Sequence, residues 1–235
     1  MRTAAPRSDL LEWYVAGSCT AAWDALIHAG PTHPQAAAIA AEVMRRLLDD
    51  IELVSMRLEE AGFPVVGRQP LAEEELAVLP QLERLVGPLP LALRALWEQL
   101  GTLCLQHRGF WLHQQQVEAQ WLPLLEADPL WVDGPSAVLG AAVRWATPPA
   151  GKRGPLHVPL SPDRKQKARR PAERPCEILL GRAVVDPHVL GVPDSSRLVD
   201  HLRGALLTWG GFPGLADLEE WQPFVLSLTE GLEPF

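Results

Sequence analysis

Three aspartates, Asp128, Asp133 and Asp163, stand at the ends of short apolar runs with strand character. Loop-borne acids in such places either build a site or serve a turn. Together with His157 they are the side chains from which a dispersed acid–base centre could be assembled by the fold. His107 and His113 are six residues apart with no acid between them, which is not a same-face helical spacing and does not make a metal pair. Asp200 and His201 are neighbours in a helical pattern and so point to different faces. Cys19, Cys104 and Cys176 are odd in number and far apart, which argues against a disulfide framework or a zinc ribbon. Cys176, beside Pro175 and Glu177, is a reactive thiol only if the fold delivers a base; otherwise it is a small buried hydrophobe. Trp111, Trp121 and Trp131 recur every ten residues and offer either aromatic anchors for a protein partner or core. Gly210 to Gly214 is glycine-rich but follows a helical pattern, whereas a phosphate cradle precedes one. No nucleophile elbow or metalloprotease helix is present. No catalytic residue, metal or cofactor is expected.

The elements that must position these residues begin as helices. Asp9 with Glu12 makes a capping box, and the helix it opens is expected to run to Ala29, before Gly30-Pro31. Thr32 or His33 then caps a second helix with Pro34 in its first position. Ile39, Val43, Leu47, Ile51, Val54 and Leu58 fall at three- and four-residue spacing, predicting one helix of about 28 residues that ends at Gly62. Phe63 to Gly67 is extended. Glu73 to Glu75 suit the first turn of a helix that Pro80 bends or restarts. Pro90 starts a short helix stopped by Gly101.

Beyond Gly101 come the strand candidates Leu103–Leu105, Leu130–Val132, Leu156–Val158 and Glu177–Leu180, with a helix over Ser136–Ala146 between them. Asp194 or Ser195 is expected to cap a helix carrying Leu198, Leu202, Leu206 and Trp209, and Asp217 to open the last one. The class is therefore α+β: N-terminal helices including one long helix, then a modest, mostly antiparallel sheet covered by helices.

The chain has 235 residues, 47% of them hydrophobic and 21% charged, enough for a large core and incompatible with general disorder. No apolar stretch approaches the roughly 18–20 residues of a membrane span. Met1 to Trp13 carries four charged residues and no apolar leader, so the expected compartment is the cytoplasm. The net charge of −8 disfavours non-specific nucleic-acid binding and favours a basic partner. Charge is unevenly placed: residues 152–182 carry +6 and the remainder −14. Arg164, Lys165, Lys167, Arg169 and Arg170 lie in an expected exposed loop, and with Arg174 they could supply phosphate contacts.

The segment Leu82 to Gly101, with Gly87-Pro88-Leu89-Pro90 leading into Leu93-Arg94, Trp97, Glu98 and the Gly101 turn, resembles the motif of the SUKH superfamily. Asp128 to Asp133 is similar to the following strand of bacterial members, and Leu156 to Lys165 to a later strand with its Ser-Pro-Asp turn. Leu198 to Leu215 and Leu232 to Phe235 resemble the C-terminal part of an uncharacterised bacterial subgroup. Thr102 stands where the family has a second glycine, and the Arg/Lys-rich loop replaces the family's acidic or polar turn after Asp163. The helical pattern marks an N-terminal segment at 1–61, and the resemblance implies a SUKH-like α+β domain at 62–235, the two expected to form one compact unit. The resemblance also implies a non-catalytic protein-binding module, of the kind that acts as an immunity protein against a toxin domain.

An acidic chain matched to a basic toxin domain is physically sensible, because complementary charge speeds encounter. The expected partner surface is a sheet face turned away from the long helix, carrying Asp128, Trp131, Asp133 and Asp163. The alternatives are a nucleic-acid-associated protein using the 164–174 loop, and an enzyme built from the dispersed acids and His157.

Overall fold

A computed structural model describes residues 9–111, 117–147, 156–161, 176–191 and 196–235. Asp163 and the basic loop at Arg164, Lys165, Lys167, Arg169 and Arg170 lie outside these residues.

Asp9 caps α1 (Leu10–Val15), its carboxylate accepting the Glu12 amide at 2.8 Å, one half of a capping box. The expected continuous run to Ala29 is broken: Gly17 adopts φ 98°, and α2 spans Cys19–Ala29. A left-handed residue cannot continue a right-handed helix, so Gly17 turns the chain and lets α2 fold back on α1. α3 is Ala36–Glu60, 25 residues, and it starts after Pro34 rather than at it, with Gln35 in the capping position. Gln35 fastens α1 instead, accepting the Leu10 amide at 2.8 Å and donating to Asp9 at 2.8 Å. The six stripe residues Ile39, Val43, Leu47, Ile51, Val54 and Leu58 are all fully buried. Gly62, at φ 86°, ends the helix with its amide on Glu59, and the next amide, of Phe63, bonds the Leu58 carbonyl. These two bonds satisfy carbonyls that a helix end leaves open.

The remaining elements are β1 (Val65–Gln69), α4 (Glu73–Leu76), α5 (Val78–Val86), α6 (Leu91–Gln99), β2 (Thr102–His107), α7 (Arg108–Trp111) and α8 (Leu122–Glu126). They continue with β3 (Trp131–Val132), α9 (Pro135–Ala146), β4 (Leu156–Ser161), β5 (Cys176–Leu180), β6 (Val189–Leu190), α10 (Leu198–Arg203) and α11 (Gln222–Thr229). The helix expected after Glu73 breaks at Ala77, so Pro80 sits in the first turn of α5, where its missing amide costs nothing. α6 carries no side-chain cap; its first amides, Leu91 and Ala92, donate to the carbonyls of Val184 and Val185. The last helix opens at Gln222 rather than near Asp217, after two short 3₁₀ turns at Pro213–Asp217 and Glu219–Trp221.

The α+β class holds, with the β-structure divided between two antiparallel three-stranded sheets ordered β1-β2-β3 and β4-β5-β6. The Asp133 amide donates to the Leu160 carbonyl at 2.8 Å, joining the end of β3 to β4. β2 is central in its sheet and buried from Leu103 to His107. α3 packs on α6 and β1, α5 on α9, α9 on β4, and α11 on α3, so residues 1–61 and 62–235 meet along α3. Arg197, not Asp194 or Ser195, immediately precedes α10, and residues 192–195 lie outside the described residues. No described helix is long and apolar enough to cross a membrane.

Candidate functional site

Asp128 sits half-exposed at the bend before β3 with φ 55°, a left-handed conformation that aspartate tolerates better than most residues. Trp131 is half-buried and donates its indole N–H to the Asp133 carboxylate at 2.8 Å. Asp133 also donates its amide to Leu160 and accepts the Trp97 indole on its carbonyl at 2.8 Å. These bonds make Asp133 the clip between α6, β3 and β4.

On β2 the partner of Trp131 is Cys104, while Arg68, Leu103 and Val132 share the opposite face, from which Arg68 reaches Glu52 of α3 at 3.9 Å. Trp131 therefore lies on the sheet face turned away from α3. That face is not bare, because Cys104 and Gln106 beside it are buried, which corrects the expectation of an open sheet face. His157 is 3.6 Å from Glu177 across β4 and β5, whereas the Asp133 carboxylate faces the Trp131 indole. Among the described residues, no three His, Cys, Asp or Glu side chains are grouped as metal ligands would be.

The second tryptophan of the ten-residue series leads to a different surface. Trp121, 9% exposed, packs its ring against Phe63 at 5.5 Å, Phe224 at 6.0 Å and Trp221 at 6.4 Å. Phe63 continues the chain of rings inward to His107 at 4.9 Å and Phe212 at 5.9 Å. Outward, Trp221 and Phe224 meet edge to face at 5.5 Å, and both are half-exposed. The ladder thus runs from fully buried Phe63 and Phe212 to rings that touch water. The edge-to-face contact of Trp221 with Phe224, and the tilted contacts of both with Trp121, orient the outer rings.

His107 belongs to the inner end of the ladder. Its Nδ1 accepts the Gly109 amide at 3.0 Å, and burial, followed by the neighbouring Arg108, holds its pKa below the ordinary value. The imidazole is thereby kept neutral.

Around the outer rings the side chains are acidic. Glu219 and Glu220 immediately precede Trp221 in its 3₁₀ turn, and Glu118 supplies the carbonyl that accepts the Trp121 amide at 2.9 Å. All three are exposed, and none is paired with a cation among the described residues. Arg108 is engaged with Glu59 at 2.9 Å, and Arg57 with the Leu228 carbonyl at 2.8 Å. Leu122, next to Trp121, is 51% exposed. The result is an aromatic platform backed by core, with exposed carboxylates on the turns that lead into Trp121 and Trp221.

Sequence reasoning found Trp121 and missed Trp221, Phe224 and their acids. The legible signal was Glu219-Glu220-Trp221 followed by Phe224, two acids opening a helix with aromatics three apart. No protein-family model, curated protein or solved structure matches this chain.

Proposed function

We propose that the protein is a non-catalytic protein-binding module, an immunity-type protein that acts in the cytoplasm and neutralises a basic toxin domain. The observation that carries this reading is the platform of Trp221 and Phe224, supported from below by Trp121, with Glu118, Glu219 and Glu220 exposed on the turns that lead into it. Rigid aromatics at the centre of an interface supply most of its binding energy, because they bury large areas at little cost in side-chain entropy. Unpaired carboxylates at the rim attract a basic surface over a Debye length and reject an acidic one. The net charge of −8 extends the same field over the molecule.

The test is binding to a toxin domain encoded beside the gene, followed by calorimetry and stopped-flow kinetics. Trp221→Ala with Phe224→Ala is expected to weaken the complex by about 30-fold or more, the loss of at least one interfacial hot spot. Glu219→Lys with Glu220→Lys is expected to slow association and to reduce its salt dependence. Tight binding that neither pair alters removes the platform from the interface, and no binding to any neighbouring toxin removes the immunity reading.

A further inference from the structure

Away from the aromatic platform, residues 232–235 return to α3 and close over a cluster of donors. The Glu233 amide donates to Asp50 Oδ1 at 3.0 Å, and Arg46 Nη1 lies 3.4 Å from the Pro234 carbonyl oxygen. Arg203 Nε donates to the carbonyl oxygen of Phe235, whose ring is fully buried with the Arg203 guanidinium 5.8 Å from its centre. Tyr14, also fully buried, packs its ring beneath the Arg46 guanidinium at 5.0 Å. Cys19 Sγ lies 3.2 Å from Arg46 Nη1.

Several of these groups have no hydrogen-bond partner. The Tyr14 hydroxyl and both Nη atoms of Arg203 are buried with their donors unused. Asp200 approaches Arg203 Nη1 only to 3.5 Å and is itself 48% exposed, a loose ion pair. Arg46, by contrast, is matched by Glu42 at 2.9 Å. Burial above all, with the nearby Cys19 thiol, raises the Tyr14 pKa against the opposing guanidiniums of Arg203 and Arg46, so the phenol keeps its proton and remains a donor. Leaving such groups unsatisfied is costly, and an anionic acceptor satisfies guanidinium and hydroxyl together more strongly than a neutral one.

We infer that Arg203, with Tyr14, forms an oxyanion-binding site beneath residues 232–235, built for a carboxylate or phosphate group. The guanidinium supplies charge and two N–H edges, the phenol a third donor, and the rings of Tyr14 and Phe235 exclude water around them. One source of the oxyanion is a carboxylate carried by Phe235 when the polypeptide terminates there; the other is a free oxyanion. The inference is independent of the protein-binding reading, because it uses none of the same residues.

The experiment compares thermal unfolding of a chain ending at Phe235 with one continued by Gly-Ser-Gly-Ser, each in inorganic phosphate and in chloride of equal ionic strength. Arg203→Met is made in both backgrounds. If the site takes free oxyanions, phosphate raises the midpoint of the chain ending at Phe235 by about 3 °C or more, and not that of Arg203→Met. If Phe235 supplies the carboxylate, phosphate leaves that chain unchanged. The extension then lowers the midpoint by a similar amount, phosphate restores it, and Arg203→Met abolishes both effects. Midpoints indifferent to phosphate and extension overturn the site, as do shifts of equal size in Arg203→Met. Should Arg203→Met not fold, Tyr14→Phe takes its place, and a phosphate or extension effect undiminished in that variant overturns the proposal.

Discussion

Asp186 accepts the indole N–H of Trp23 at 2.9 Å across 163 residues of sequence, and the same carboxylate receives the Val199 amide at 3.3 and 3.4 Å. One buried acid therefore ties α2 to the loop between β5 and β6 and serves the first turn of α10, which has no side-chain cap of its own. Trp23→Phe removes one donor together with the pyrrole part of a fully buried indole. It is expected to cost about 1–3 kcal/mol, read from urea unfolding. Asp186→Ala orphans both donors and is expected to cost more, about 2–5 kcal/mol. Equal stability of the two variants would separate the Val199 contact from any role in holding α10.

Burial pushes the pKa of both Asp186 and Asp50 up to about 6, from 3.8. The folded state then holds their protons more tightly than the unfolded chain does. Their contribution to stability grows as pH falls through about 6 and is complete below 3.8. His107 acts in the opposite sense: its lowered pKa gives stability above 6.5 that is lost as pH falls below that value. Asp50→Asn and Asp186→Asn are each expected to weaken the gain in stability seen between pH 6 and pH 4. Urea midpoints measured across that interval check this, and a variant whose pH profile matches the wild type refutes the assignment for that residue.

Gly101 and Gly67 both have positive φ, 79° and 75°, but their surroundings differ. A Cβ on Gly101 would lie 2.2 Å from the Gln69 carbonyl oxygen and 2.8 Å from the Leu71 amide; one on Gly67 would meet nothing within 4 Å. Gly67→Ala is expected to cost about 1–2 kcal/mol, the left-handed penalty alone. Gly101→Ala adds a backbone clash and is expected to cost about 2–5 kcal/mol. Similar midpoints for the two would mean that the β1–α4 connection yields freely.

The aromatic ladder separates stability from binding. Trp121→Ala empties a nearly buried site and is expected to cost about 3–5 kcal/mol. Trp221→Ala, at the half-exposed end, is expected to cost about 1 kcal/mol or less while removing the partner contact. Thermal unfolding of the two variants checks the order, and a reversed order would place Trp221 in the core.

Local pattern carried much of the fold. The stripe of α3 was legible because six apolar residues at helical spacing admit one buried face, and its end because Gly62 suits a left-handed turn. The break at Gly17 was not legible, since Ala16-Gly17-Ser18 interrupts no hydrophobic period; packing of α1 on α2 selects it. Thr102 follows Gly101 directly into β2, pairing with Gln69. Asp186 gave no signal, because a lone acid before proline looks like a turn residue until Trp23 arrives from a distant segment. The aromatic platform was half-visible for the same reason: Phe63, Trp121, Phe212 and Trp221 are neighbours only after the chain has closed.

That closure has a temporal side. The guanidinium of Arg46 touches the Val15 carbonyl at 3.5 Å and the Pro234 carbonyl at 3.4 Å, so one side chain of α3 contacts segments near both ends of the sequence. A ribosome making about 5–20 residues per second needs roughly ten to thirty-five seconds to travel from the end of α3 to Phe235. Throughout that interval α3 lacks α11 and the residues that cap its flank, and its apolar stripe is incompletely covered. Until α11 packs on it, the nascent chain therefore leaves one flank of its longest helix open, although α6 and β1 are already in place against it.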